Sequence, residues 1–146
     1  MSEREPPAAG PHAPAIVLFA CVHNAGRSQL AAAWFFALAD PARAVAVSAG
    51  TQPAGQVHPD VLAVLGEVSL PSAPPRLLTD ALARSASLLI TMGCGESCPH
   101  VPGLEREDWP IQDPKARSLV EVRAISVDIR ARVAALVARR GWARGA

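Results

Sequence analysis

The amino-acid sequence predicts an α/β protein, a single domain in which a four-stranded parallel sheet carries helices on both faces. Apolar runs of strand length alternate along the chain with segments whose apolar residues recur at helical spacing. The apolar runs are continuous, which is typical of strands that are buried on both faces. Strands and helices that alternate in this order build a parallel sheet, and ligands bind beyond the carboxyl ends of its strands.

Four segments are predicted to be strands, and Gly50 ends the second of them. They cover residues 15–20, 43–49, 87–92 and the short stretch 109–111. Four segments are predicted to be helices, with Pro59 in the first turn of the second and Thr79 or Asp80 capping the third. These cover residues 28–39, 59–67, 79–84 and 118–140. The loop at 93–106 is long and contains glycine, proline and cysteine, which indicates a functional role.

Length and charge limit the classes of function. A chain of 146 residues is the size of one ordinary domain. Residues 1–14 contain four prolines and no apolar core, so we predict a disordered tail before a domain at 15–146, rather than a signal peptide. No apolar run reaches the roughly 18 residues that span a bilayer. The net charge is +1 with both signs mixed, so we expect no nucleic-acid or membrane partner.

The chain has three cysteines, Cys21, Cys94 and Cys98. An odd number excludes a framework that consists only of static pairs. Because the sequence shows no export signal, we expect a reducing compartment, the cytoplasm, where thiols are catalytic, bind metals or are inert.

The most informative segment is the loop between the first predicted strand and the first predicted helix. It consists of Cys21, Val22, His23, Asn24, Ala25, Gly26, Arg27 and Ser28. Backbone amides curled around a common centre, with the positive end of the next helix behind them, favour an anion. The planar fork of Arg27 would hold two oxygens of that anion, and the same positive field favours a nucleophilic thiolate at Cys21. The sequence therefore predicts an oxyanion site with a thiolate at its base; the alternative is a buried structural cysteine beside an unrelated arginine.

Asp113 is the candidate proton donor. A nucleophile that displaces an oxygen from an oxyanion needs a proton for the departing oxygen, and a carboxylic acid above the site would supply it. The alternative is structural, since an aspartate followed by a proline, here Pro114, is also a common start of a turn.

Cys94 and Cys98 lie four positions apart in the long loop. An exposed pair of thiols in a cytosolic protein is typically redox-active, and this is the interpretation we favour. The alternative is a zinc site that uses these two thiols and His100. Its fourth ligand would have to be Cys21 or His23, which already belong to the predicted anion site.

Further segments accompany the loop in a characteristic order. After Cys21 to Gln29 come Ser48-Ala49-Gly50-Thr51, Val57-His58-Pro59, Thr91-Met92-Gly93-Cys94, and Asp108-Trp109-Pro110 with Asp113-Pro114. Together these segments resemble arsenate reductases that have the low-molecular-weight tyrosine phosphatase fold. The resemblance extends from about Ile16 to the C-terminal helix.

This resemblance implies a relay of thiols in which Cys21 attacks arsenate held by Arg27 while Asp113 protonates the leaving oxygen. Cys94 would then attack Cys21 and release arsenite, and Cys98 would attack Cys94 to leave a Cys94–Cys98 disulfide. No bound cofactor is implied. The external reductant would be thioredoxin or a similar dithiol protein, or a small thiol such as mycothiol in a related branch that needs only Cys21.

Two other functions remain open at this point. A low-molecular-weight tyrosine phosphatase would use Cys21, Arg27 and Asp113, but it needs an aromatic wall to hold a phenyl ring. The chain has no tyrosine, and Lys115-Ala116-Arg117 follow the Asp-Pro pair where such an enzyme carries aromatic residues. A non-catalytic oxyanion-binding or zinc-binding module is the third class.

Overall fold

The computed structural model describes residues 13–94, 98 and 100–145. Within them the strands are β1 (Ala15–Cys21), β2 (Ala44–Gly50), β3 (Leu88–Thr91) and β4 (Glu105–Asp108). The helices are α1 (Arg27–Leu38), α2 (Pro59–Glu67), α3 (Asp80–Ser85) and α4 (Leu119–Arg140). All strand pairs are parallel, in the order β2-β1-β3-β4. The predicted fold class, one α/β domain with a four-stranded parallel sheet, is confirmed.

Buried side chains form two clusters, one on each face of the sheet. The larger cluster joins the sheet to α1, α2 and α4 and contains Phe19 and Ile129. The smaller cluster lies under α3 and contains Leu18, Leu89 and Ala83. Successive residues of β1 enter opposite clusters because side chains alternate along a strand. Helices therefore cover both faces, as predicted.

Helix ends follow the capping residues of the sequence. The Thr79 side chain accepts a hydrogen bond from the Leu82 amide and caps α3. Ser118 and Glu121 bond reciprocally to each other's backbone amides in a capping box at the start of α4. The same helix ends at Gly141, whose φ of 73° is the left-handed conformation that glycine tolerates best.

The fourth strand was predicted at 109–111, and this prediction is wrong. The strand is Glu105–Asp108, which also shortens the predicted loop at 93–106. Its four charged residues give no apolar signal, because β4 is an edge strand whose glutamates pair with the end of α4. Nη2 of Arg139 lies 2.6 Å from Oε2 of Glu107, and the guanidinium of Arg140 pairs with the carboxylate of Glu105.

The predicted tail at 1–14 lies outside the described residues except for Ala13 and Pro14, so this domain boundary stays a prediction. Among the helices of the described residues, none is long and apolar enough to cross a membrane.

Candidate active site

The loop between β1 and α1 turns its carbonyl groups outward. The carbonyl oxygens of residues 21–26 each accept a hydrogen bond from outside the loop, at 2.8–3.2 Å. In chain order, the donors are the amides of Thr51, Gln52 and Ala54, the side chain of Gln29, and the amides of His58 and Leu30. No described residue accepts a hydrogen bond from the amides of residues 22–26. These N–H groups and the N-terminus of α1 make a concavity that favours an anion.

Cys21 lies at the base of this loop and is 3% exposed. Its Sγ atom is 2.9 Å from Oγ of Ser28. Nδ2 of Asn24 donates to the same hydroxyl oxygen at 2.7 Å, and Oδ1 of Asn24 accepts from the Arg76 amide at 2.9 Å. Ser28 and Asn24 therefore link Cys21 to the segment that carries Arg76 through a chain of hydrogen bonds. Asn24 also has the left-handed backbone of the loop, with φ 51°.

Two glycines let other segments approach the loop closely. A Cβ atom at Gly50 would lie 2.5 Å from the carbonyl oxygen of Val22, so β2 supports the loop from behind. A Cβ atom at Gly26 would lie 2.6 Å from Cγ of Pro114. Gly26 has φ −141°, outside the left-handed region, and its missing side chain makes room for the Asp113-Pro114 segment.

Arg27 and Asp113, which are far apart in sequence, meet at the mouth of the loop. Nη2 of Arg27 is 3.7 Å from Oδ2 of Asp113, and Nη1 donates to the Ile111 carbonyl at 3.3 Å. The arginine side chain is nearly buried, whereas that of Asp113 is 43% exposed. Oδ1 of Asp113 accepts a hydrogen bond from the Lys115 amide at 3.0 Å, which fixes the carboxylate above the site.

Cys94 and Cys98 form a disulfide with their Cα atoms 5.6 Å apart. The expectation of an exposed pair is wrong, because the two residues are only 6% and 4% exposed. They pack in the cluster under α3, with Leu18 and Leu89 among its members. Cys21 is a free thiol and belongs to the cluster on the other face of the sheet.

Known proteins with this sequence pattern and fold decide the family. Residues 16–141 match the family model for low molecular weight phosphotyrosine protein phosphatase. The chain belongs to this family. A putative arsenate reductase of Halobacterium salinarum is 34% identical over 123 residues, which are 79% of this chain and 85% of that protein. The glutaredoxin arsenate reductase of Synechocystis is 29% identical over 84% of this chain and 96% of its own length.

A similar solved structure is also that of an arsenate reductase. The thioredoxin-dependent arsenate reductase of Corynebacterium glutamicum is 40% identical, with a TM-score of 0.72 over 84% of this chain. The match covers 60% of that protein, so the present chain spans less than two thirds of its length. Members of the phosphatase family that are similar to this chain thus include proteins named as arsenate reductases.

In this family member, a cavity of about 860 Å³ opens between the ends of β3 and β4, beside the disulfide. Gly93, Cys98, His100 and Trp109 line it. Two of the residues considered as zinc ligands, Cys98 and His100, therefore share one cavity. Across the described residues, however, no three His, Cys, Asp or Glu side chains are grouped so that they could hold a metal ion.

Gln29 is a residue whose role the sequence did not indicate. Its Nε2 donates to the carbonyl oxygens of Asn24, at 3.0 Å, and Ala73, at 2.8 Å. Its Oε1 accepts from the Ala73 amide at 3.0 Å. The side chain thus fastens the proline-rich segment after α2 to the back of the anion loop. The signal was its place directly after Ser28 in the loop motif.

His58 is the N-cap residue that precedes α2, and it also lies at the mouth of the site. Its amide donates to the Ala25 carbonyl at 3.0 Å. Burial lowers the pKa of His58 from its ordinary value; the nearby Asp113 carboxylate opposes this effect, and His23 and Lys115 add to it. The imidazole therefore favours its neutral form. The Val57-His58-Pro59 motif was the only sign of this position in the sequence.

Proposed function

We propose that this protein is an arsenate reductase in which Cys21 attacks arsenate bound in the loop from Cys21 to Ser28. The observation that carries the proposal is the pairing of Cys94 with Cys98 in a protein that already holds a nucleophilic cysteine in an anion loop. Hydrolysis of a phosphate ester consumes no electrons and needs one thiol. Reduction of arsenate needs two electrons, which a pair of thiols supplies when it forms a disulfide. The relatives named as arsenate reductases support this choice of substrate.

The first step is nucleophilic displacement on arsenic. The amides of residues 22–27 and the guanidinium of Arg27 hold the oxygens of arsenate and stabilise the charge that develops on them. The Ser28 hydroxyl stabilises the Cys21 thiolate. The sulfur forms a bond to arsenic, and one oxygen departs after it takes a proton from Asp113.

The second step is reduction. The Cys94 thiolate attacks Sγ of Cys21, and the sulfur–arsenic bond breaks with its electron pair on arsenic, which leaves as arsenite. The Cys98 thiolate then attacks Cys94, which frees Cys21 and leaves the Cys94–Cys98 disulfide. Because Cys21 and Cys94 pack on opposite faces of the sheet, this step requires the segment after Gly93 to change its position.

The third step returns the enzyme to its dithiol form. An external thiol reductant reduces the disulfide, and we propose thioredoxin or a similar dithiol protein as this partner. The thioredoxin-dependent relative of Corynebacterium glutamicum supports that assignment. A cycle that starts from reduced thiols fits the reducing cytoplasm.

The placement of the aromatic residues argues against an aryl phosphate as the substrate. Phe19 packs against Phe35 and Trp109 in the core, with ring centres 5.9 Å and 5.8 Å apart. Trp109, which directly follows β4, is only 6% exposed. Phe36 is exposed but lies in the last turn of α1, and the first turn of that helix faces the site. A wall for a phenyl ring is therefore not provided by these side chains.

The test is arsenate-dependent oxidation of NADPH by the full chain with thioredoxin and thioredoxin reductase. Parallel reactions contain a glutaredoxin–glutathione system or mycothiol. We expect turnover with thioredoxin, and none with any donor in Cys21→Ser. Cys94→Ser and Cys98→Ser should each stop the thioredoxin reaction, with the Cys94–Cys98 disulfide detected by mass spectrometry after one turnover of the unmodified protein.

Two results would contradict different parts of the proposal. Full thioredoxin-dependent turnover in Cys98→Ser would remove Cys98 from the relay and leave the reductase activity standing. Hydrolysis of para-nitrophenyl phosphate that is faster than arsenate reduction under every donor would overturn the reductase assignment itself.

A further inference from the structure

Arg27 is the point at which the anion loop meets the segment that carries Cys94. Its guanidinium lies directly over the α-carbon of Gly93: a Cβ atom there would be 2.9 Å from Cζ and closer still to Nη1. The same guanidinium donates to the carbonyl of Ile111 and lies 3.7 Å from the carboxylate of Asp113. Two segments that are distant in sequence from Arg27, one at Gly93 and one at residues 111–113, thus hold the direction of its side chain.

The contact at Gly93 differs from the other two because it is possible only where the residue has no Cβ atom. Any side chain at this position would occupy the space of the guanidinium and push it aside. Moving the guanidinium would also disturb its hydrogen bond to the Ile111 carbonyl and its ion pair with Asp113. The planar fork holds two oxygens of an anion only when its direction is fixed.

We propose that Gly93 is a positioning residue for Arg27, and that the lack of a side chain at Gly93 sets the affinity of the site for a tetrahedral oxyanion. This inference rests on the proposed anion site, but it does not depend on the thiol relay. Gly93 does not touch the anion. It acts by providing the surface against which the guanidinium is held.

The chain contains a matched control for backbone effects. Gly93 and Gly103 both have left-handed backbones, with φ of 89° and 82°, so an alanine at either position is strained in the same way. A Cβ atom at Gly103 would meet no atom within 4 Å. The two substitutions therefore share the backbone strain and differ in the clash with Arg27.

The experiment measures the binding of inorganic phosphate by calorimetry to the full chain with the Cys94–Cys98 disulfide intact, the form in which Gly93 contacts Arg27. We expect Gly93→Ala to weaken binding by about tenfold or more, the effect of losing a hydrogen bond to a charged group. Gly103→Ala should bind phosphate as the unmodified protein does. If Gly93→Ala does not fold, Gly93→Asn and Gly103→Asn replace the pair, since asparagine tolerates a left-handed backbone and still carries a Cβ atom.

A double-mutant cycle tests whether the effect passes through Arg27. Arg27→Lys removes the planar fork, so adding Gly93→Ala to that variant should change the affinity by less than about twofold. A merely structural role of Gly93 would instead give additive losses, and that result would overturn the inference.

Phosphate binding by the unmodified protein separates a failure of this inference from a failure of the proposed anion site. If the unmodified protein binds no phosphate, the proposed anion site is wrong. If it binds phosphate and Gly93→Ala binds equally well, the site stands and the positioning role of Gly93 is wrong.

Discussion

The sulfur of Cys21 and the hydroxyl oxygen of Ser28 lie 2.9 Å apart in a part of the site that is almost closed to solvent. A hydroxyl group has one proton and two acceptor positions. Asn24 already donates to this oxygen, at 2.7 Å, and therefore occupies one acceptor position. An ionised sulfur can only accept a hydrogen bond, so in the thiolate form of Cys21 the Ser28 hydroxyl is the donor and stabilises that form.

Ser28→Ala should make Cys21 less reactive near neutral pH. The hydrogen bond to a charged sulfur contributes about 1.5–3 kcal/mol, so its loss should slow the reaction of Cys21 with an alkylating reagent by about tenfold or more. With the Cys94–Cys98 disulfide intact, Cys21 is the free thiol of the chain, and iodoacetamide reports on it alone. The rate of alkylation against pH is the measurement.

The control for that variant is Ser126→Ala. Ser126 is a buried serine on α4 whose hydroxyl accepts a hydrogen bond from Nε1 of Trp34 at 2.9 Å. Its loss removes a comparable hydroxyl far from the thiol, and the alkylation profile should not move. Equal profiles for Ser28→Ala and the unmodified protein would show that the Ser28 contact does not support the thiolate.

Asn24 should contribute to the stability of the protein. Asn24→Ala leaves the Arg76 amide without its acceptor and puts alanine in a left-handed backbone, so we expect a loss of about 1–3 kcal/mol. Asn24→Gly loses the same hydrogen bonds but accepts the φ angle, and it should be the more stable of the two variants. Urea unfolding measures the difference. If the alanine variant equals the glycine variant, the backbone conformation of the loop carries no cost.

The sequence predicts the interior of this fold better than its edge. The predicted strand at 15–20 corresponds to β1, Ala15–Cys21, because an uninterrupted apolar run marks a strand that is buried on both faces. β4 has no such mark, since its four residues are charged. It is a strand because it pairs with β3 and because its glutamates bind arginines more than 30 residues away on α4.

In the candidate active site, too, local features could be predicted from the sequence and long-range contacts could not. The anion loop is one contiguous motif, so its elements were readable from residue types and spacing. The burial of Cys94 and Cys98 depends on packing under α3. The hydrogen bonds of the Gln29 side chain depend on Ala73, which is 44 positions away. Contacts of that range leave no local pattern, so composition and spacing do not indicate them.

Asp113→Asn should slow the attack on arsenate without weakening the binding of the anion. The amide cannot supply the proton for the departing oxygen, and general acid catalysis contributes about 10²–10⁴-fold. It also removes a negative charge beside Arg27, so phosphate should bind at least as tightly as before. Rapid mixing with arsenate, followed by the rate of disulfide formation, measures the first effect, and calorimetry with phosphate measures the second.

The control is Asp128→Asn, which removes an exposed carboxylate that pairs with Arg132 on α4. It should change neither measurement. An Asp113→Asn protein that forms the disulfide as quickly as the unmodified one would exclude Asp113 as the acid.

His58 should make the stability of the protein depend on pH below its ordinary pKa of 6.5. Burial lowers the pKa of His58 in the folded state, so the unfolded chain binds more protons between the folded and the unfolded values. Stability therefore rises with pH through this window, is fully present above pH 6.5 and is lost as the pH falls. The slope from one such group is at most about 1.4 kcal/mol per pH unit.

The variant that isolates this contribution is His58→Gln, which cannot titrate. Between pH 7.5 and 5.5, the free energy of unfolding should fall more for the unmodified protein than for His58→Gln. The carboxylates with lowered pKa values, Glu67, Glu107, Asp108 and Glu121, titrate below this window, so they do not obscure the comparison. Urea unfolding at half-unit steps of pH gives both curves. Parallel curves would mean that His58 binds protons equally well in the folded and unfolded chains. That result would contradict the lowering of its pKa by burial.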